Sequence, residues 1–399
     1  MLIESVLLLV LLLVAAAFVK GGFAFTIIYL FLGIYIVSLV WTRQSAKNIS
    51  CERKFEKRVF WGEDVPVRLE IRNHGWLPVP WLLVYESLPV ELTAGSSIKR
   101  VLSLGPHGKA EITYTLGAYK RGYYPVGPFT TKLGDTLGLA DIQELEQQPD
   151  TITVYPKIIP LTNPGLPSRS PLGTLRHSQP IFEDPARVRG KRDYVASDSL
   201  RRVDWKASAS TGRLQVKQFE PSIALQTVLF LNMNENEYPA KHRIDATELA
   251  VVIAASLANW VIAQKQAVGL TTNGVEGAET TNSNQGINPI PARKGRAQLV
   301  HLLDLLARLQ TSSIHPLTEM LNKETPRLPW GTTVVIITGQ IDEALFDSIF
   351  QIQRRGQNVV MVIAGHGGNV HTARQQARRF GFPLYTFPNE KSLDTWRRK

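Results

Sequence analysis

The sequence contains very little cysteine, with Cys51 as the single thiol among 399 residues. One thiol cannot build an internal disulfide framework or a cysteine-based zinc site, so both are excluded as sources of stability. The sequence also lacks a Gly-x-Ser-x-Gly nucleophile elbow, a His-Glu-x-x-His pair and a phosphate-binding P-loop. These absences predict a protein that is not an enzyme and has no cofactor.

Acidic residues are outnumbered by basic ones, with 34 Asp and Glu against 45 Lys and Arg and a net charge of +11. This excess permits contact with nucleic acid, anionic lipid or an acidic protein partner. The hydrophobic fraction of 44% is sufficient for packed cores, and the chain has room for two or three domains.

Charged residues are scarce near the N-terminus, where two apolar runs cover residues 2–19 and 23–41. Each run is close to the ~20 residues that cross a bilayer as a helix, so together they predict a transmembrane helical hairpin over residues 1–44. A cleaved signal peptide is the competing interpretation, but Glu4 stands where a basic region is expected. Basic residues cluster after the second run, which predicts a multi-pass protein with its soluble domains in the cytoplasm.

The pattern changes to a period of two between residues 45 and 158. In residues 65–71 every second side chain is apolar, as in a half-buried strand, and similar runs recur further along. Short strands at this spacing predict an all-β sandwich. Trp61, Trp76 and Trp81 fit packing positions of the sandwich and of its membrane-proximal edge better than they fit a carbohydrate-binding surface.

A proline-rich linker at residues 159–182 leads into a basic segment at residues 183–222. Between Arg187 and Lys217, nine basic and three acidic residues give a net charge of +6. We interpret the acidic residues, Asp193, Asp198 and Asp204, as ion-pair partners of the basic ones rather than as catalytic carboxylates.

A short amphipathic helix is predicted inside this basic segment. Asp198 is placed to cap its first turn. Leu200, Val203 and Ala207 recur at helical spacing and predict its buried face. Gly212 is expected to end the helix, and a strand is expected to follow it.

Strands and helices alternate over residues 223–399. Buried strands are predicted at residues 224–232, 267–272, 333–338 and 359–364, and helices at 246–264, 297–309, 343–355 and 372–380. This alternation predicts an α/β doubly wound domain. The whole chain is therefore expected to be multidomain, with a transmembrane hairpin, an all-β sandwich and an α/β domain in that order.

The run from Gly190 to Glu220, GKRDYVASDSLRRVDWKASASTGRLQVKQFE, resembles the signature of the bacterial domain of unknown function 58 (DUF 58) family. The segments KRGYYPVGP and GDTLGLA, further towards the N-terminus, are similar to that family as well. The resemblance implies a C-terminal domain like that of von Willebrand factor A, and it implies a bacterial inner membrane as the location.

Domains of the von Willebrand factor A type usually hold a divalent cation through an Asp-x-Ser-x-Ser motif and a later Asp. Here Asn232, Asn234 and Asn236 occupy the motif positions, and Gly339 stands where the later Asp is expected. Because a hard cation prefers anionic oxygen ligands, we predict a degenerate site without metal.

The resemblance implies a membrane-anchored scaffold that docks a protein partner, a MoxR-type AAA+ ATPase, in assembly or maturation of envelope or secreted proteins. The alternative is a binder of nucleic acid or another anionic ligand, which the few aromatic residues between the basic ones make less favourable. In both interpretations the basic segment makes the contact. The candidate partner-binding residues are Arg189, Arg192, Tyr194, Arg201, Arg202, Asp204, Trp205, Lys206 and Arg213.

Overall fold

The computed structural model describes most of the chain. The described residues are 22–93, 95, 97–134, 142–162, 164, 183–195, 198–221, 226–277, 287–366 and 370–397. The chain forms two compact units, Met1–Lys157 (unit 1) and Ile158–Lys399 (unit 2). The predicted first apolar span and most of the predicted linker lie outside the described residues.

The second apolar run forms one helix, α1 (Gly22–Lys47), at the start of the described part of unit 1. It is long and apolar enough to cross a membrane, and most of its apolar side chains are exposed. The helix Arg243–Ala263 of unit 2 passes the same test of length and composition, but it is mostly buried, as a core helix is. α1 is therefore the better candidate for a membrane span of the two.

Ten strands follow α1 in the described part of unit 1. They are β1 (Ile49–Lys54), β2 (Arg58–Val59), β3 (Asp64–Asn73), β4 (Val79–Ser87), β5 (Ser97–Leu104), β6 (Lys109–Gly117), β7 (Gly122–Val126), β8 (Phe129–Gly134), β9 (Gln143–Gln147) and β10 (Asp150–Val154). They form three sheets with the strand orders β1-β3-β6, β5-β4-β8-β9 and β2-β10-β7. Every pairing is antiparallel except that of β2 with β10.

The first two sheets of unit 1 share one apolar core. Leu69 and Ile71 of β3 belong to the same buried cluster as Leu82 of β4 and Phe129 of β8. Ala46, near the end of α1, belongs to this cluster too. The apolar residues that alternate along β3 are buried, as their period of two predicts.

A buried ion network joins the three sheets of unit 1. Arg53 on β1 donates to Glu86 Oε1 at 2.6 Å and to Asp150 Oδ2 at 2.8 Å. The side chains of Arg53 and Glu86 are 2% and 0% exposed. Glu86 lies on β4 and Asp150 begins β10, so one guanidinium ties together a strand from each sheet. Burial raises the pKa of Glu86, and the charge and hydrogen bond of Arg53 oppose that rise.

The described part of unit 2 contains both strands and helices. They are β11 (Glu183–Asp193), α2 (Trp205–Thr211), β12 (Gln215–Pro221), β13 (Gln226–Leu231), α3 (Arg243–Ala263), β14 (Ala267–Thr272), β15 (Val275–Glu276), β16 (Ile290–Arg293), α4 (Arg296–Arg308), β17 (Leu309–Gln310), α5 (Leu317–Glu324), β18 (Thr333–Thr338), α6 (Glu343–Arg354), β19 (Asn358–Ala364), α7 (Val370–Phe380), β20 (Leu384–Phe387) and α8 (Asp394–Arg397).

The central sheet of unit 2 has the order β16-β14-β13-β18-β19-β20, and all its strands are parallel except β16. From β13 the chain passes through α3 to β14 on one side, and from β18 it passes through α6 to β19 on the other. Right-handed crossovers in opposite directions place α3 and α6 on opposite faces of the sheet. Unit 2 is therefore a mixed α/β unit, and the protein as a whole is multidomain α/β with a β-sheet region.

The central strands were the easiest elements to predict. The predicted strands at residues 267–272 and 333–338 coincide with β14 and β18, whose side chains are nearly all buried. A strand covered on both faces is apolar throughout, which leaves a clear mark in the sequence. The short elements α5, β16 and β20 were not predicted, because they carry too few residues to show a period.

Candidate functional site

The basic segment folds as a two-stranded hairpin. β11 pairs antiparallel with β12, and among the described residues these two strands form a sheet of their own. The chain between them makes a 3-10 turn at Leu200–Arg202 and then the helix α2. The predicted strand after the helix is confirmed. Gly212 also ends the helix as predicted, in the left-handed conformation with φ 68°.

The short helix begins later than predicted, and the prediction that Asp198 caps it is wrong. Asp204 caps it instead, accepting the Ala207 N–H on Oδ1 at 3.1 Å. The helix starts at Trp205. Asp198 and Asp204 are both good capping residues, so the sequence alone did not distinguish them.

An extended residue separates the 3-10 turn from the helix. Val203 has ψ 128° and bridges to Val216 of β12, so helical geometry cannot run continuously from Leu200 to Ala207. The predicted buried face is therefore wrong in part. Val203 is buried against the hairpin, but Leu200 is 61% exposed.

Two of the three acidic residues form ion pairs, as predicted. Both terminal guanidinium nitrogens of Arg192, Nη1 and Nη2, donate to Asp198 at 2.6 Å, and the Lys191 ammonium lies 2.9 Å from Asp204. The hydrogen bond from Arg192 lowers the pKa of Asp198, and the one from Lys191 lowers the pKa of Asp204. Asp193 accepts a hydrogen bond from a glutamine side chain instead. These pairs connect β11 to the turn and to the helix cap.

Several apolar and basic side chains of the segment are left facing solvent. Trp205, at the first position of α2, is 67% exposed, and Val195 and Leu200, earlier in the segment, are exposed as well. Lys206 and Arg213 are exposed as well. We call these five residues the hairpin surface. The sequence indicated the basic ones but assigned Leu200 to the core and did not single out Val195.

The structure separates the candidate partner-binding residues into groups. Trp205, Lys206 and Arg213 belong to the hairpin surface, and Arg202 is also exposed. Arg192 and Asp204 hold ion pairs inside the segment, and Tyr194 is half-buried. The side chains of Arg189 and Arg201 lie outside the described part of the structure.

The predicted degenerate metal site lies at the carboxyl edge of the sheet, where β13 and β18 end. Asn232 is fully buried, and its amide donates to Glu237 Oε2 at 2.7 Å and to Thr338 Oγ1 at 2.9 Å. Its side-chain oxygen Oδ1 accepts from the Asn234 N–H at 3.0 Å and from the Asn273 side-chain amide at 2.9 Å. Every polar atom of the Asn232 side chain is thus satisfied by the protein.

Gly339 leaves room for an aromatic ring at this edge. Tyr238 is buried, and its hydroxyl donates to the backbone carbonyl oxygen of Asn232 at 2.6 Å. A Cβ atom at Gly339 would lie 2.1 Å from Tyr238 Cδ1. An Asp at position 339 is therefore incompatible with Tyr238 in this place.

The carboxylates near the edge are engaged with other groups. Glu237 accepts the Leu317 N–H at the start of α5 at 3.1 Å, Asp342 caps α6, and Glu235 lies 3.2 Å from Arg243. Asn236 contributes its backbone N–H to Asn234. Burial raises the pKa of Glu237, which further disfavours an ionised ligand. These residues do not fit a hard divalent cation, and within the described ranges no cluster of three or more His, Cys, Asp or Glu could hold a metal.

Comparison with known proteins supports the resemblance seen in the signature run. Residues 190–365 match the family model described as "Protein of unknown function DUF58". The matched span runs from the hairpin to the turn that follows β19. The "Uncharacterized protein YeaD" of Bacillus subtilis (strain 168) is 25% identical over 359 residues, which cover 87% of this chain and 84% of that protein.

Similarity to solved structures is weak. An aerotolerance-related membrane protein from Bacteroides fragilis is 10% identical with a TM-score of 0.30, and the match covers 44% of this chain and 97% of that one. The CARDB domain of a Pyrococcus furiosus protein is 16% identical with a TM-score of 0.20, and it covers 27% of this chain and 86% of its own. Similarities at this level carry no inference about function.

Proposed function

We propose that the protein is a membrane-anchored scaffold that docks a protein partner through the hairpin surface. The observation that carries this proposal is Trp205, an exposed indole on a segment held in place by the Asp204 cap and two ion pairs. Tryptophan is enriched among the residues that contribute most to binding between proteins. A side chain mounted on an ordered segment also loses less conformational entropy when it binds.

The charges around Trp205 indicate a partner with an acidic face. Asp198 and Asp204 are occupied by Arg192 and Lys191, whereas Lys206 and Arg213 are exposed. Exposed positive charge attracts an acidic surface and raises the rate of association. On the basis of the resemblance, the partner is a MoxR-type AAA+ ATPase acting in assembly or maturation of envelope or secreted proteins.

We also propose a more specific architecture for this scaffold than the multidomain α/β fold described above. The shared core of two antiparallel sheets supports a β-sandwich in unit 1. The strand order and crossovers of unit 2 support a von Willebrand factor A-like domain with a degenerate metal site. The apolar α1 supports membrane anchoring as the second helix of a hairpin in a bacterial inner membrane. The basic residues that follow α1 favour soluble domains in the cytoplasm.

Binding of nucleic acid is the less favoured function. Part of the positive charge that suggested it is neutralised, because Lys191 and Arg192 pair with carboxylates of the same segment. Single-stranded nucleic acid is usually bound by several stacked aromatic rings in a basic groove. Of the aromatic residues in the segment with described side chains, Tyr194 is half-buried and Trp205 is exposed.

The docking proposal is tested by a double substitution on the hairpin surface, Trp205→Ala with Lys206→Glu. Because both side chains are exposed, stability should change by less than about 0.5 kcal/mol. Loss of a tryptophan hot spot costs about 2 kcal/mol or more, so affinity for the purified MoxR-type ATPase of the same organism should fall by roughly 30-fold.

A matched control uses another exposed pair in unit 2, Ile244→Ala with Lys241→Glu, which removes one apolar and one basic side chain outside the hairpin surface. This control should bind like the wild type. Equal affinity of both double variants would overturn docking through the hairpin surface. Absence of any binding by the wild type would overturn the ATPase as partner.

A further inference from the structure

We propose that the turn at residues 73–78, which carries Trp76, inserts its indole into the headgroup region of a phospholipid bilayer and holds unit 1 against the membrane surface. This inference rests on the proposed anchoring of the protein by α1. It applies to either orientation of the chain across the bilayer. It identifies a lipid contact made by the β-rich part of unit 1, in addition to the helix.

The turn is attached directly to the end of the apolar helix. Only Asn48 separates α1 from β1, and its carbonyl oxygen accepts the His74 N–H at 2.8 Å. Ser50 Oγ lies 2.7 Å from His74 Nε2. A Cβ atom on Gly75 would lie 3.0 Å from the Asn48 side chain, which shows how closely the turn approaches the helix end. The turn therefore cannot move away from α1 without breaking these contacts.

The turn also reaches back along the helix towards the apolar segment. The Trp41 indole donates to the Pro78 carbonyl oxygen at 2.9 Å. Residues 41 and 48 are seven positions apart, which corresponds to about 10 Å of helix at 1.5 Å per residue. Trp76 lies in the turn between the residues that contact these two positions. Measured along the helix axis, Trp76 is therefore level with the last two turns of α1.

The last two turns of α1 mark the boundary of the apolar segment. Arg43 and Lys47 are exposed, and they are the first charged residues after the apolar run. The helix before them presents exposed apolar side chains such as Val37 and Val40. Basic residues at the end of a transmembrane helix lie at headgroup level, where they contact lipid phosphates. Trp76 is held at the same level.

Hydrogen bonds within the protein fix the conformation of the turn, and in this conformation its tryptophan is exposed. The buried Asn73 amide donates to the carbonyl oxygens of Leu77 at 2.8 Å and Gly105 at 3.0 Å, and its oxygen accepts the Gly75 N–H at 2.9 Å. Leu77 is buried, whereas Trp76 is 72% exposed. Its large apolar ring and single N–H suit the interface between hydrocarbon and water, where tryptophan is enriched.

The other tryptophans of unit 1 singled out in the sequence have partners within the protein. Trp61 donates to the Tyr119 carbonyl oxygen at 2.7 Å, and Lys157 lies over its ring. Trp81 is half-buried, and its ring would lie 2.7 Å from a Cβ atom on Gly134. We predicted that these tryptophans pack the sandwich and its membrane-proximal edge. Trp81 packs in this way, whereas Trp61 remains 38% exposed despite its contacts, and Trp76 is too exposed to be a packing residue. Its exposure at the level of the helix end points to lipid rather than to a sugar.

The experiment places a fluorescent label on single cysteines of the full chain in phospholipid nanodiscs that contain anionic lipid. The label is attached at Trp76→Cys in a Cys51→Ala background. Val90→Cys is the matched control, because it is an exposed apolar position beyond the far end of β4, roughly 30 Å along the strand from Pro78. Val37→Cys on α1 reports whether the helix is in the bilayer.

We expect quenching by lipids with a shallow quencher to be several-fold stronger at position 76 than at position 90, and quenching by aqueous iodide to show the reverse order. Position 37 should be quenched by lipids with a deep quencher. Lipid quenching at 37 with equal, iodide-dominated quenching at 76 and 90 would overturn the Trp76 contact and leave membrane anchoring intact. Absence of lipid quenching at 37 would overturn both proposals.

Discussion

Replacing Glu86 by Gln should destabilise unit 1 strongly, because it leaves a buried guanidinium without its nearest counter-charge. Arg53 donates to Glu86 at 2.6 Å, and both side chains are almost completely shielded from water. The substitution keeps the shape of the side chain and removes its charge. The remaining partner of Arg53 is Asp150, at 2.8 Å. Asp150 is itself shared with Lys57 at 3.2 Å.

The magnitude follows from the burial of the pair. Removing one partner of a buried ion pair costs roughly 3–5 kcal/mol, and the remaining contact with Asp150 places the expected loss near about 3 kcal/mol. For a unit of this size each kcal/mol lowers the melting temperature by roughly 2–4 °C, so the loss corresponds to a fall of roughly 6–12 °C.

An exposed ion pair in the same unit supplies the control. Arg68 on β3 lies 2.9 Å from Glu111 on β6, and their side chains are 58% and 40% exposed. Exposed pairs contribute at most about 1 kcal/mol, so Glu111→Gln should melt within a few degrees of the wild type.

The assay is thermal melting of the purified full chain in detergent, with unfolding monitored by circular dichroism. A third variant, Arg53→Met with Glu86→Leu, removes both charges and should recover much of the stability that Glu86→Gln loses, since an apolar pair of similar volume tolerates burial. The reasoning is refuted if Glu86→Gln melts like Glu111→Gln. It is also refuted if the double variant is less stable than the single one.

Three further predictions address other sites. The pKa of Glu70 is lowered to about 2, first by the hydrogen bond from Arg72. Its contribution to stability is therefore present above its ordinary pKa of 4.5 and lost as the pH falls towards 2. In a plot of melting temperature against pH, Glu70→Gln should therefore show a smaller fall between pH 4.5 and pH 2 than the wild type. Gly339→Ala should lower stability by about 1–3 kcal/mol or more in chemical unfolding, because its new methyl group meets the Tyr238 ring; an unchanged midpoint would contradict the packing described. Burial raises the pKa of Cys51 to about 12, so alkylation of the folded protein at pH 8 should be slow and should become rapid on unfolding, whereas equal rates would show that the thiol is accessible.

Much of the fold could be predicted because the local pattern of apolar and polar residues indicates it. β3 alternates between buried and exposed residues over most of its length, and β14 and β18 are buried along almost their whole length and carry apolar runs. Such patterns depend on which faces of a strand are covered, and they survive without knowledge of the neighbouring strand. The end of the helix at Gly212 could also be predicted from a single residue, because a helix end in the left-handed conformation favours glycine.

The candidate site could be predicted only in part. The density of basic residues indicated the segment, and the ion pairs of Asp198 and Asp204 followed from their surroundings. The sequence did not show that Val203 would bridge to Val216 and interrupt the helix. That pairing joins a residue in the connection between β11 and β12 to a residue on β12 itself. It moved the cap by six positions, and Leu200 is exposed where the helical spacing predicted burial.

By itself the sequence determined the apolar helix α1, the order of the longer strands and helices, the α/β character of unit 2 and the amide side chains at positions 232, 234 and 236. Only the tertiary structure decided which side chains meet across long stretches of chain. It placed Tyr238 against Gly339, Arg53 against Glu86, and Trp76 beside the end of α1. The physical reason is that burial, pairing and exposure of a side chain depend on neighbours that are distant in sequence. Local patterns indicate only whether a residue faces a core, and they do not indicate which side chains it contacts in that core.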